Sequence, residues 1–412
     1  MKTPYILICI LGIILLSCEK TDNPGIDNPY EPYPIALSKS AEEVIESTNE
    51  FGLDIFKLIV NDEPDSKNIF ISPTSISLAL AMTWNGANTS TKDSMAYTLR
   101  LDQYTDQEIN ETFRDLMAGL TTCDDKVLLE IANSIWYKLG FQVEQSFLDI
   151  NQEYYNTEIS ELDFSSPAAP GIINVWVSEQ THQRIPEIID GIDPDIVMFL
   201  INAIYFKGIW TIDFNEENTC DDVFNMADGS SKTVDMMHME EEISYFENDL
   251  FQACELDYGR GNYSMIVLLP KNSQNLSVLT DQMTPENWKN WISSFVIRKV
   301  SLSLPKFTFE YEKELNDILT LMGMGIAFSP LADFTGIRSS GGLCIDYVKH
   351  KTFVEVNEEG TEAAAVTVVA ILETSAGPDD TVYMIINHPF LFAIREKTTN
   401  TIVFMGKVVE PL

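Results

Sequence analysis

The stretch EEGTEAAAVTVVAILETSAG, residues 358–377, has the side chains of a buried strand, small ones first and β-branched ones after. It runs without a turn signal for longer than most strands do. Alternate side chains of a strand share a face. One set here is Thr361, Ala363, Ala365, Thr367, Val369 and Ile371, none of them charged. The other begins with Glu362 and continues through Ala364, Val366, Val368, Ala370 and Leu372. Such a segment needs a sheet.

The chain around it is large enough to supply one. Of 412 residues, 45% are hydrophobic and 10% aromatic, which excludes a disordered acidic tail. The formal charge of −37 repels phosphate backbones and anionic membranes and argues against nucleic acid as a partner. No cluster of Lys and Arg offers a heparin site.

Residues 1–18, MKTPYILICILGIILLSC, read apart from the rest. A basic start at Lys2 precedes an apolar run from Tyr5 to Leu16, short for a membrane span and fitting a secretory signal. Leu15-Leu16-Ser17-Cys18 resembles the lipobox of bacterial lipoproteins, which implies cleavage before Cys18 and lipid attachment there. An ordinary export signal with a chance cysteine is the alternative. Residues 19–35 carry Pro24, Pro29, Pro32 and Pro34 among Asp and Asn, as a flexible tether would. The expectation is an exported protein, either anchored through that lipid at the outer membrane or cell surface, or extracellular. Residues 36–412 form one large domain.

Within that domain, Val44, Thr48, Phe51, Ile55, Phe56 and Ile59 recur at helical spacing, which predicts a helix over 40–61. In SPTSISLALAMTWNGA, Ser72 caps a second helix, Pro73 opens it, and its apolar middle predicts burial on all sides. VLLEIANSIWY and DIVMFLINAIYFKGIW read as strands. KVSLSLPKFTFEY reads as one strand with Pro305 at an edge or bulge, YEKELNDILTLMGM as a helix, and TIVFMGKVVEPL as a closing strand. The class is α/β or α+β with large sheets.

A catalytic constellation is not legible. The four histidines (His182, His238, His350 and His388) form no H-E-x-x-H pair, and neither a G-x-S-x-G elbow nor a P-loop is present. GIRSSGG reads as a surface loop, and DGIDPD lacks the remaining ligands of a calcium loop. Cys123, Cys220, Cys254 and Cys344 show no C-x-x-C spacing and are expected as buried free thiols. No metal or cofactor is implied.

The ordered segments NIFISPTSISLALAMTWNGA, FLINAIYFKGIW, LSLPKFTFEYEKELNDILTLMGMGIAFSPLADFTGI, VKHKTFVEVNEEGTEAAA and NHPFLFAIREKTTNTIVFMGKVVEP resemble the serpins across essentially the whole domain. The resemblance implies three β-sheets, eight or nine helices and an exposed reactive loop at about 358–380. Its hinge matches Glu358, Glu359, Gly360, Thr361, Glu362, Ala363, Ala364 and Ala365, with Gly360 as pivot. Val366 stands where the family has alanine. The loop then waits outside its sheet until a protease cuts it. Its uncharged set slides in over core helices, and the trapped acyl-enzyme is dragged along. About fourteen inserted residues span roughly 45 Å. The alternative is a non-inhibitory serpin-fold binding protein at the cell surface. The implied partners are target proteases held covalently, and the implied state is a monomer.

Counting by the family's hinge length places the cut between Thr374 and Ser375, with Leu372–Glu373 as the alternative because SAGPDD adds slack. No Lys or Arg lies between Lys351 and Arg395, so a trypsin-like pocket with a buried carboxylate finds no cationic partner. Elastase-like, subtilisin-like or cysteine proteases fit better. The resemblance also assigns Ser72, Ser75, Asn202 and His350 to a hydrogen-bonded shutter under the central sheet, and Trp210 to the point where insertion begins. A satisfied polar core without a switching role is the other reading of that cluster.

Overall fold

The computed structural model describes residues 32–38, 40–272, 276–361 and 380–411. Cys18, Glu362, Ala363, Ala364, Ala365, Leu372, Glu373, Thr374 and Ser375 lie outside the described residues.

The first helix, α1 (Ala41–Asp62), buries the stripe seen in the sequence, including Val44, Phe51, Ile55 and Ile59. A short strand, β1 (Ile69–Ile71), leads into α2 (Pro73–Trp84). Ser72 Oγ accepts the Ser75 amide proton at 3.1 Å, and Pro73 stands in the first turn, where a missing N–H costs nothing. The helix is buried on nearly every side because it lies beneath a sheet. Then follow α3 (Thr89–Thr98), α4 (Asp106–Leu120), β2 (Val127–Lys138), α5 (Gln145–Tyr155), β3 (Glu158–Leu162), α6 (Ala169–Gln180) and β4 (Met198–Ile209).

Strands dominate the second half: β5 (Cys220–Asn225), β6 (Ser231–Glu247), β7 (Phe251–Tyr258), β8 (Tyr263–Pro270), β9 (Val296–Pro305) and β10 (Phe307–Glu314). After them come β11 (Lys349–Asn357), β12 (Gly360–Thr361), β13 (Val382–Ile385), β14 (Phe390–Glu396) and β15 (Ile402–Val408). Among the described residues the central sheet has six strands in the order β10-β11-β12-β4-β2-β3. Ile204, Phe206, Val354 and Val356 point from its inner face into the main core. Phe199, Ile201 and Ala203 point outward, into a second core built with Trp176 and Val177 of α6.

The remaining strands form one network, β1-β15-β14-β8-β7-β6-β9-β13, with β5 on β6. Three sheets are expected from the resemblance, and hydrogen bonding joins two of them. The cause is the length of β6, which pairs β9 through Met236–Tyr245 and β7 through Ser244–Glu247.

KVSLSLPKFTFEY is two strands, not one. Pro305 ends β9, Lys306 follows, and β10 begins in the other sheet. The predicted helix over YEKELNDILTLMGM is also shorter: β10 takes the chain to Glu314, and one α-turn (Asn316–Leu319) precedes a wide turn at Thr320–Met324. At the other end, docking starts ahead of residue 36. Tyr33 exchanges hydrogen bonds with the Asn262 side chain at 2.8 and 2.7 Å, and Arg260 lies over its ring. All four cysteines of the described residues are free, but only Cys123 and Cys254 are buried; Cys220 and Cys344 are exposed.

Candidate functional site

The long segment of residues 358–377 enters the central sheet at its first residues. Gly360 pairs with Asn357 of β11 and Ile209 of β4; Thr361 pairs with Val356 and Gly208. Both pairings are antiparallel. The expectation that the loop stays wholly outside the sheet is therefore corrected, because Gly360 and Thr361 are already in it. Two glycines permit this. Gly360 has φ +151°, and a Cβ there would overlap the Gly208 carbonyl oxygen and stand 2.8 Å from Ile209 Cα. Backbone approach, as well as freedom at a pivot, explains that glycine.

Thr361 points inward, buried, and shares a hydrogen bond of 2.6 Å with the Tyr258 hydroxyl. Trp210 stacks on Tyr258 with ring centres 4.3 Å apart. Its indole N–H donates to the Asn357 carbonyl at 3.0 Å, and its backbone N–H to the Glu359 carbonyl at 2.9 Å. Trp210 thus lies where the segment enters. The Asn357 side-chain oxygen accepts the amide protons of Glu359 and Gly360 and turns the chain over.

Glu358 is nearly buried at 6% exposure and pairs with Lys306 Nζ at 3.0 Å. Thr219 Oγ1 donates to the same carboxylate at 2.8 Å, and the Glu358 backbone carbonyl accepts from the Phe214 amide. Burial pushes this carboxyl up, but the Lys306 and Thr219 hydrogen bonds outweigh it and hold Glu358 below its ordinary range. Lys306 and Thr219 escaped the sequence reading. The one available signal was a lysine directly after the strand-breaking Pro305.

Past β12, β4 and β11 share no ladder among the described residues. A cavity of about 560 Å³ lies between them. Ser75, Ala79 and Leu80 of α2 line it, with Leu200 and Asn202 of β4 and His350 of β11.

The polar cluster at this level is split. The Ser72 amide donates to His350 Nε2 at 3.0 Å, so the ring proton sits on Nδ1. Ser72 Oγ donates to the Val403 carbonyl at 2.7 Å. Burial pushes the His350 imidazole down to about 3, so the ring is neutral near pH 7. Asn202 does not join Ser72, Ser75 and His350. Its amide donates across to Asn133 Oδ1 at 2.7 Å, because β2 is its paired neighbour and β11 lies beyond the cavity. The Asn202 Oδ1 is buried without a partner among the described residues.

A cavity between two strands, in line with a two-residue strand and lined by the unpartnered Asn202 Oδ1, has the form of a site for one more strand. No metal-binding cluster occurs among the described residues.

Comparison with known proteins gives the same shape a lineage. A family model described as Serpin (serine protease inhibitor) matches residues 46–411. The leukocyte elastase inhibitor of Sus scrofa is 35% identical, over 90% of this chain and 100% of its own. The crystal structure of the thermophilic serpin tengpin in its native state superposes with a TM-score of 0.83 and 34% identity, over 92% of this chain and 97% of that one. Human thyroxine-binding globulin complexed with thyroxine superposes with a TM-score of 0.82 and 30% identity, over 90% of this chain and 99% of that one.

Proposed function

Since this chain belongs to the serpin family of serine protease inhibitors, we propose that it inhibits proteases as a single-use substrate. The observation that carries the reading is Thr361, seated between β11 and β4, the same two strands that line a cavity farther down at Asn202 and His350. A target protease attacks a loop carbonyl, forms an acyl-enzyme and releases the new amino end. The hinge side of the cut loop then zips into the slot before water completes hydrolysis. Each new backbone hydrogen bond contributes about 1 kcal/mol net.

The register of β12 tests the loop's composition. Continued along β4, it brings residues 362–371 down to Met198. Ala363 then falls beside Phe206 and Val354, and Thr367 beside Asn202 and His350. We propose that in the inserted form its hydroxyl accepts from His350 Nδ1 and donates to Asn202 Oδ1. On the outer face, Glu362 falls beside Lys207, and Val368 and Ala370 beside Ile201 and Phe199. Those last positions meet the core under α6, which accounts for an outward set that turns apolar after its first residue.

Elastase-like, subtilisin-like or cysteine proteases are the proposed targets, because the loop holds no Lys or Arg. Similarity to an elastase inhibitor supports the first of these. The proposed cut is Thr374–Ser375, and the proposed location is a lipid-anchored, exported protein held through Cys18. The thyroxine-binding globulin likeness favours a second reading, a binding protein whose loop is not a trap. Incubation with pancreatic elastase decides between them. An SDS-stable complex and a nicked form that melts higher support trapping; nicking without either result rejects it.

A further inference from the structure

Cys220 begins β5 at the surface, and its Sγ lies 3.5 Å from Nε2 of His238 on β6. The Nδ1 of that ring lies 2.9 Å from Ser303 Oγ on β9. Strand pairing enforces the line: Cys220 stands opposite Met236, and His238 opposite Ser303. Ser303 is buried and His238 half-buried, so the ring is held from below while the thiol stays open to solvent. The other described thiols lack this setting. Burial pushes Cys123 and Cys254 up to about 12, and Cys344 is exposed without a hydrogen bond to any histidine among the described residues.

We propose that Cys220, His238 and Ser303 form a thiol-exchange site that takes small disulfides bearing an amino group. With the Nδ1 proton donated to Ser303, the Nε2 lone pair accepts the proton of the thiol. The Cys220 sulfur attacks one sulfur of the disulfide, whose S–S bond breaks. The departing thiolate takes the proton back from the imidazolium, leaving a mixed disulfide on Cys220 and one free thiol. Exposed Asp222, two positions along β5 on the face of Cys220, attracts an ammonium and repels a carboxylate. Cationic disulfides are therefore preferred over anionic ones. This chemistry does not depend on loop insertion and fails or holds independently of it.

The test is site-resolved mass spectrometry of the folded full chain during brief exposure to cystamine, with remaining thiols blocked before digestion. Cys220 is expected to acquire the cysteamine adduct roughly tenfold or more faster than Cys344, and faster from cystamine than from oxidised glutathione. His238→Gln is expected to remove the advantage over Cys344 with an unchanged melting temperature. Ser303→Ala is expected to lower the rate several-fold and Ser303→Thr to restore it. Equal rates at Cys220 and Cys344 in the wild-type protein, or an unchanged Cys220 rate in His238→Gln, overturn the proposal. Faster labelling by oxidised glutathione overturns the assigned charge preference.

Discussion

The hydroxyls of Tyr258 and Thr361 lie 2.6 Å apart in a buried pair, with the Trp210 ring stacked on the tyrosine. That pair seats the first inward-facing residue of the loop before any cut. In the proposed mechanism, insertion begins as the extension of an existing strand and does not need a new one to be nucleated.

Replacing Thr361 with Arg blocks that extension. A guanidinium at a position 4% exposed, beneath the sheet and without a carboxylate partner, costs several kcal/mol. Thr361→Arg is expected to leave loop cleavage intact and abolish the SDS-stable complex with elastase; Thr361→Ser keeps it. A complex of undiminished yield from the arginine variant would refute the seating role.

Gly360 tests backbone approach. In Gly360→Ala the new Cβ meets the Gly208 carbonyl at φ +151°, so β12 leaves the sheet or β4 shifts. The expected cost is about 1–3 kcal/mol. The intact protein melts lower and its loop is nicked faster by a non-target protease; an unchanged melting curve contradicts the argument.

Thr367 tests the register. Thr367→Val is expected to leave the intact protein's melting temperature unchanged. It should shrink the rise on nicking by roughly a few degrees, since the Asn202 and His350 groups stay unsatisfied. An equal rise in both proteins would place another residue between them.

Acid separates two groups. His350 is held neutral by burial, at about 3 against an ordinary 6.5. The unfolded chain therefore binds the extra proton first. The stability His350 contributes is present above about 6.5 and is lost as pH falls from there toward about 3. Glu358, lowered by Lys306 and Thr219 against burial, contributes above its ordinary 4.5 and loses that contribution as pH falls through its folded value. Melting temperatures across pH 3–8 are expected to fall less below about 6.5 in His350→Gln. Glu358→Gln flattens only the portion below about 4.5. Identical pH slopes in wild type and both variants would remove these groups from the acid response.

Much of this was legible in local pattern. The apolar stripe of α1 and the Ser72–Pro73 start of α2 depend on helix period and cap chemistry, which neighbouring residues carry. The division of KVSLSLPKFTFEY between two sheets was not legible. The apolar phase slips by one residue across Pro305 and Lys306, from Val300, Leu302 and Leu304 to Phe307, Phe309 and Tyr311, yet nothing local says that the partner strand changes from β6 to β11. Asn202 misled for a related reason. Its residue type suits a cluster with His350, yet its neighbour is Asn133, sixty-nine positions away in the chain.

By itself, the sequence determined where α1 and α2 lie, that residues 358–377 have the alternation of a half-buried strand, and that this stretch holds no Lys or Arg. Tertiary structure alone decided that Gly360 and Thr361 already stand between β4 and β11, that Lys306 and Thr219 grip Glu358, and that a cavity over α2 continues the strand's path. The difference has a physical cause. Side-chain period and caps are set by residues a few positions apart, whereas an opening between strands exists only after segments more than a hundred residues apart have packed.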